Sequence, residues 1–169
     1  MALYLIANGP APTTAAQVVV TTGTAIKTLL QVKAGATIVA KIKEWGISFD
    51  GSAAAAPIKV ELLQTDVAAT VTAHVAAGIV KQDGNALMGG DPTTDCIEVG
   101  TAATGYTGSA EGSITATRMF DVQLIAPTNQ YVKQFPLGLE PVIEIGKFGR
   151  IRVTAAAAVN AYCYMIVEV

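Results

Sequence analysis

The sequence is poor in charge, and this scarcity excludes several classes of protein. Of 169 residues 14% are charged, with 11 Lys or Arg against 13 Asp or Glu, for a net charge of −2. Without a basic run or basic patch interleaved with aromatics, the sequence predicts no nucleic-acid partner. Its apolar runs fall far short of the roughly 20 residues of a membrane span, so we expect no membrane partner. Residues 1–4 lack the charged region of a signal peptide, and we expect the protein to stay where it is made.

Side chains that carry out chemistry are also scarce. The chain has one histidine, His74, and two cysteines, Cys96 and Cys163. A general base needs a partner and a pocket, and one histidine with two distant cysteines does not make a tetrahedral metal set. The glycine-rich stretches lack the Gly-Lys-Ser/Thr ending of a phosphate loop, and no Gly-x-Ser-x-Gly elbow occurs. We therefore expect that the protein is not an enzyme and that it binds no cofactor, no metal and no small-molecule substrate.

Two weaker alternatives concern the cysteines and three loop carboxylates. A disulfide between Cys96 and Cys163 stays open, although two reduced, mostly buried thiols are the favoured interpretation. Asp91, Asp95 and Glu98 are candidate calcium ligands. Their spacing does not match an EF-hand loop, which favours solvated charges.

Much of the chain alternates between apolar and polar residues, most clearly in the stretch Ile38–Leu63. Apolar residues occupy the even-numbered positions before Glu44 and the odd-numbered positions from Trp45 onward, which is a change of apolar phase. This slip predicts a β-bulge, with Gly46 beside it as a kink residue. A turn at residues 50–52 separates this strand from a second alternating run. We interpret the pair as the centre of a β-rich core.

Further strand-like segments follow along the chain. Residues 13–24 are rich in β-branched residues, and residues 26–32 fit a strand over a longer match than a helix. Residues 114–125 read as one long strand with a bulge near Asp121. About eight to ten strands at this spacing predict an all-β fold. The expected architecture is one domain over residues 1–169, an antiparallel β-sandwich that is jelly-roll-like.

Candidates for contact with other molecules lie first at the N-terminus. Residues 1–12 are interpreted as a short first strand or as an N-terminal arm that adds a strand to a neighbouring molecule. The apolar residues of this segment, which we take as oligomer or capsid contacts, are Leu3, Tyr4, Leu5 and Ile6.

Two later segments supply further candidates. Residues 81–112 form a long glycine-rich loop region, with two or three short strands as the alternative. Met88 and Tyr106 are the contact candidates there. The last strand is apolar on both faces, with Tyr162 and Tyr164 opposite the core side. Such a strand is either central in the fold, which is favoured, or covered by another subunit.

Six segments taken together resemble a family of small structural proteins from tailed bacteriophages. The similarity covers most of the chain after about Val32 and contains no catalytic fingerprint. The segments that carry it are Val32–Ala34, Lys43–Gly51, Leu87–Thr94, Ala126–Gln130, Gln134–Gly138 and Arg150–Val153.

The resemblance implies a capsid decoration, or cement, protein that binds the outer surface of the head and stabilises the shell. Such proteins are commonly homotrimers at three-fold positions, so the implied partner is the major capsid protein. The implied location is the virion, at the capsid surface, after synthesis in the host cytoplasm. No individual binding residue carries over from the family. The alternative is another virion component, such as a head-fibre base, a tail part or a module that binds the host surface.

Overall fold

The fold is built almost entirely of strands. The computed structural model of the chain describes residues 2–52, 55–82 and 96–169. Among these residues no helix is long and apolar enough to cross a membrane. The elements in chain order are β1 (Leu3–Ala7), β2 (Val20–Thr21), β3 (Ile26–Ala34), β4 (Ala40–Asp50), β5 (Ile58–Thr65), β6 (Thr70–Ala73), a 3-10 turn (Ala76–Gly78), β7 (Ile79–Lys81), β8 (Ile97–Glu98), β9 (Gly105–Ala110), β10 (Thr117–Ile125), β11 (Gln130–Gln134), β12 (Val142–Ile143), β13 (Phe148–Thr154) and β14 (Asn160–Glu168).

The strands form two antiparallel sheets. Sheet A has the order β11-β4-β14-β1-β7, with β12 beside β4 and β2 beside β14; sheet B has the order β10-β5-β13-β3-β9-β6, with β8 beside β3. Eight of these strands, β1, β3, β4, β5, β10, β11, β13 and β14, can be numbered one to eight along the chain. Sheet A then reads 1-8-3-6 and sheet B reads 2-7-4-5. This is the connectivity of a jelly roll, so the predicted all-β, jelly-roll-like sandwich is confirmed.

The core lies between the two sheets, because each strand turns alternate side chains inward. In β14, Cys163 and Met165 are buried in this core, whereas Tyr164 points to the opposite side of the sheet. Trp45 of β4 is fully buried, with its ring centroid 5.3 Å from that of Tyr131. The single tryptophan is therefore a core residue of sheet A.

Both predicted bulges are present. The pairing of β4 with β14 passes from Ile42 to Glu44, so Lys43 is the extra residue of a bulge just before the tryptophan. The pairing of β10 with β5 likewise omits Phe120, next to Asp121. At Trp45 the sequence showed the slip as a change of apolar phase.

The two strands predicted in Ile38–Leu63 are present as β4 and β5, but they do not pair with each other. β4 lies in sheet A between β11 and β14, and β5 lies in sheet B between β10 and β13. The chain therefore passes from one sheet to the other between β4 and β5. Periodicity reports which face of a strand is buried but not which sheet it joins. Of the β-branched stretch 13–24, only the short β2 is a strand.

Residues 3–7 form an internal strand. β1 pairs with β14 on one side and with β7 on the other. Tyr4 and Ile6 are 1% and 0% exposed and belong to the core. The interpretation of this segment as an arm, with Tyr4 and Ile6 as contacts to other molecules, is therefore corrected, since both edges and both side chains are used internally. Leu3 and Leu5 point the other way and are half-buried.

The chain between β5 and β10 adds β6, β8 and β9 to sheet B and β7 to sheet A, and part of it folds over the outer side of sheet B. Its described parts are residues 66–82 and 96–116, in which β9 pairs with β3, and β6 pairs with β9. Of the glycine-rich region 81–112, residues 83–95 lie outside the described residues. The rest includes β8 and β9, so short strands account for much of the described part.

Two buried polar side chains of sheet B anchor this segment. Arg150 of β13 is fully buried, and its guanidinium donates to the carbonyl oxygens of Glu111, at 3.1 Å, and Val67. Gln31 of β3 accepts a hydrogen bond from the N–H of Ala69 at 2.8 Å. Because buried polar groups must be paired, these bonds fix the segment over the outer side of sheet B.

Candidate interaction surface

The outer side of sheet A carries apolar and aromatic side chains. The central strand β14 turns three of them away from the core, and β1, β7 and β11 add the others. All are half-buried or exposed. Contiguous apolar surface with tyrosine at its centre is typical of protein interfaces. We call the following residues the open face: Leu3, Leu5, Val80, Val132, Tyr162, Tyr164 and Ile166.

Strand pairing brings these residues into continuous rows. In one row Leu5 is paired with Val80 on one side and with Ile166 on the other. In the next row Tyr164 and Val132 flank the same glycine of β4. Strands about 4.8 Å apart place such side chains in contact. The open face therefore extends over sheet A from β7 to β11, with side chains from four strands and Gly46 of β4 between Tyr164 and Val132.

Gly46 allows Tyr164 to lie close against β4. A Cβ at position 46 would come within 2.6 Å of the Tyr164 ring. The Tyr164 hydroxyl donates to Glu44 Oε1 at 2.5 Å, and Gln134 donates to the other oxygen of that carboxylate at 2.5 Å. Burial, together with the hydrogen bond to Glu44, raises the pKa of Tyr164. The hydroxyl thus stays protonated and bonded within the sheet.

The turn after β11 presents two leucines to solvent. Leu137 is 91% exposed and Leu139 is 72% exposed. The N–H of Leu139 donates to the carbonyl oxygen of Pro136 at 2.9 Å, and Gly138 has a φ of 86°. Glycine with positive φ at the third position is typical of a type II turn. We call residues 136–139 the leucine turn.

Glu140 holds the leucine turn in place. Its carboxylate accepts hydrogen bonds from the N–H of Gly138 at 2.7 Å and from Lys43 Nζ at 2.8 Å. Lys43 also forms an ion pair with Glu168 at 2.9 Å. The hydrogen bond from Lys43 is the largest of the effects that lower the pKa of Glu140 to about 2. Glu140 therefore stays ionised, and the turn stays anchored, at any pH near neutrality.

A cleft of about 220 Å³ lies at the opposite border of the open face. Leu5 and Val80 form one wall, and Pro10 and Pro12 of the loop after β1 form another. The side chains that line it are uncharged. Gln17 also lines it, and the Nε2 atom of Gln17 is buried with no hydrogen-bond partner among the described residues. We call this site the apolar cleft.

The single histidine has a structural position. His74 is 3% exposed, and its Nε2–H donates to the carbonyl oxygen of Ala7 at 2.8 Å. Its ring centroid lies 4.9 Å from that of Tyr106, which is half-buried. Burial lowers the pKa of His74, so the imidazole is neutral near pH 7. Tyr106, predicted as a contact with other molecules, packs against this ring.

His74 is expected to make stability depend on pH below about 6.5. In the unfolded chain the imidazole takes up a proton near pH 6.5, the ordinary pKa of histidine. In the folded protein its pKa is lower, so it takes up the proton only at lower pH. The unfolded state then binds more protons, so the free energy of unfolding falls as the pH drops from 6.5. Urea unfolding at pH 7.5, 6.5 and 5.5 measures this loss, up to about 1.4 kcal/mol per pH unit. The same slope in His74→Gln would show that another group is responsible.

The predicted contact residues are thus separated by the fold. Leu3 and Leu5 lie on the open face, Tyr4 and Ile6 lie in the core, and Met88 lies outside the described residues. Val80, Val132 and the leucine turn were not predicted from the sequence. The available signal was a pair of leucines around a glycine in a turn, where polar residues are usual.

The remaining chemical candidates form no site in the described part of the chain. No three His, Cys, Asp or Glu side chains among the described residues come together as a metal-binding group. Cys96 and Cys163 are not joined by a disulfide. Burial in β14 raises the pKa of the Cys163 thiol. Asp91 and Asp95, considered as calcium ligands, lie outside the described residues.

Comparison of the chain with protein-family models, curated proteins and solved structures found no match.

Proposed function

We propose that the protein is a decoration protein of a bacteriophage capsid, which binds the outer surface of the head as a homotrimer and stabilises the shell. The observation that carries this proposal is the open face. On the outer side of sheet B the chain covers Gln31 and Arg150 with its own residues and leaves Val122 and Leu124 of β10 exposed. Sheet A presents an apolar and aromatic patch over β14 and the strands beside it. Jelly rolls recur in viral capsid proteins. The buried, hydrogen-bonded position of His74 also favours binding over catalysis.

The proposed mechanism is mechanical. A packaged genome pushes outward on the shell, and the seams between capsomers are its weak points. A trimer that spans a seam contacts several capsid subunits at once, so that modest single contacts add up to tight attachment. Closed cyclic symmetry keeps the trimers from growing into fibres. Because the open face is apolar, attachment should depend little on salt.

Binding to empty, expanded heads tests the proposal. Purified protein is mixed with heads over a concentration series, and the bound fraction is measured after cosedimentation. We expect saturation at a fixed ratio to the major capsid protein. Binding to host cells or glycans with none to heads would instead favour a host-surface module. Hydrolysis of an ester or glycoside substrate would point to an enzyme.

A charge placed on the open face should weaken head binding. Val132 lies on the open face and is 52% exposed, so Val132→Lys should leave the fold intact. Burial of the new ammonium group against an apolar partner is costly, and we expect a loss of affinity of at least about tenfold. Val122→Lys is the matched control, because Val122 is 48% exposed on β10 of the other sheet. Equal affinities of the two variants would remove the open face from the proposal.

A further inference from the structure

We propose that the leucine turn of one copy inserts into the apolar cleft of a second copy, so that the copies join head to tail in a ring. This inference deepens the proposed homotrimer, and the ring size of three rests on that proposal. The contact itself is argued from the two sites.

The two sites match in charge and in size. Leu137 and Leu139 are two of the three most exposed leucines in the described residues, the third being Leu124 of β10. Their side chains are apolar and carry no charge. The apolar cleft is also lined by uncharged side chains and measures about 220 Å³. An apolar cavity of about 150 Å³ admits a benzene ring, which is bulkier than a leucine side chain. The cleft therefore has room for a leucine of the turn.

The leucine turn needs little ordering before it binds. Its backbone is closed by the hydrogen bond between Leu139 and Pro136, and Glu140 ties it to Lys43. A segment already held in one conformation loses less entropy on association. An exposed apolar group that is rigidly presented is therefore suited to act as an anchor.

The positions of the two sites determine the kind of assembly. The leucine turn follows β11, and the apolar cleft adjoins β1 and β7, so the two sites lie at opposite edges of sheet A. A contact between two different patches is heterologous, and it closes into a ring or continues as a filament. Tyr164 and Ile166, in the middle of the sheet, stay available for the head.

Sedimentation of paired variants tests the contact. The turn variant carries Leu137→Ser and Leu139→Ser, and the cleft variant carries Val80→Asp. Loss of one buried leucine weakens association by more than about tenfold. Leu124→Ser is the matched control, since Leu124 is 74% exposed on β10, away from both sites.

The parent protein and the Leu124→Ser control are expected to sediment with three times the 17.3 kDa mass of one chain. Each site variant alone is expected as a monomer. An equimolar mixture of the two should give dimers, because one intact turn meets one intact cleft. A monomeric parent, a turn variant that stays trimeric, or a mixture without dimers would overturn the inference.

Head binding, measured separately, distinguishes this inference from the proposed function. If a monomeric parent binds heads and the turn variant does not, the leucine turn contacts the capsid protein, and the inference fails while the proposed function stands. If the variants behave as expected in sedimentation but no form binds heads, the inference stands and the proposed function fails.

Discussion

Replacement of Trp45 by alanine is expected to lower the free energy of unfolding by about 3–5 kcal/mol. The indole is fully buried in the middle of β4 and packs against Tyr131. Truncation removes apolar contact area and leaves a cavity that neighbouring strands of a closed sandwich cannot fill by small shifts. Chemical denaturation followed by far-UV circular dichroism measures the loss.

Trp45→Phe is the matched variant. The indole N–H has no hydrogen-bond partner among the described residues, so phenylalanine removes volume but no hydrogen bond. We expect its loss of stability to be clearly smaller than that of alanine. A loss below about 1 kcal/mol for alanine would mean that the ring is not in the core.

Replacement of Arg150 by methionine should destabilise the protein by a similar amount, about 3–5 kcal/mol. The guanidinium is fully buried, donates to the carbonyl oxygen of Val67, and lies 3.2 Å from the carboxylate of Glu111. Methionine keeps much of the apolar stem but removes the buried charged donor from these acceptors, which retain only their hydrogen bonds from Thr65 and Thr28. Unfolding followed by Trp45 fluorescence measures the change, and proteolysis should reveal release of β6 and β9 from sheet B.

Arg118→Met is the control for Arg150. Arg118 also pairs with a carboxylate, Glu144, at 2.7 Å, but both side chains are about half exposed. Exposed ion pairs contribute about 0–1 kcal/mol, so a small effect is expected. Comparable losses for the two variants would contradict the anchoring role of Arg150.

The periodic parts of the fold were predictable from sequence. The shift of apolar phase at Trp45 predicted the bulge that is present at Lys43, and the strand match over residues 26–32 predicted β3. These features depend on residues that are close together in the chain, and a period-two pattern of apolar residues shows them directly. The jelly-roll class followed from the number and spacing of such strands.

Features that depend on distant residues were not predictable. β4 and β5 are adjacent in sequence yet belong to different sheets. Arg150 alternates with Ile151 as a solvent-facing residue would, but the chain between β5 and β10 covers it. A strand pattern cannot show which residues another segment of the chain will cover.

The contact surface was predictable only in part. Apolar residues at the N-terminus were taken as contacts, but pairing of β1 on both edges sends Tyr4 and Ile6 to the core and leaves Leu3 and Leu5 outside. The apolar residues on both faces of β14 correctly predicted a central strand. That Tyr162 and Tyr164 join Val80 and Val132 in one patch follows only from the strand order.

The central claim is that this jelly roll attaches to the outside of a phage head. Cryo-electron microscopy of expanded heads incubated with the protein tests it most directly. The account predicts added density on the outer surface, at the three-fold positions, into which three copies fit with sheet A toward the shell. Heads that look the same with and without saturating protein would contradict it.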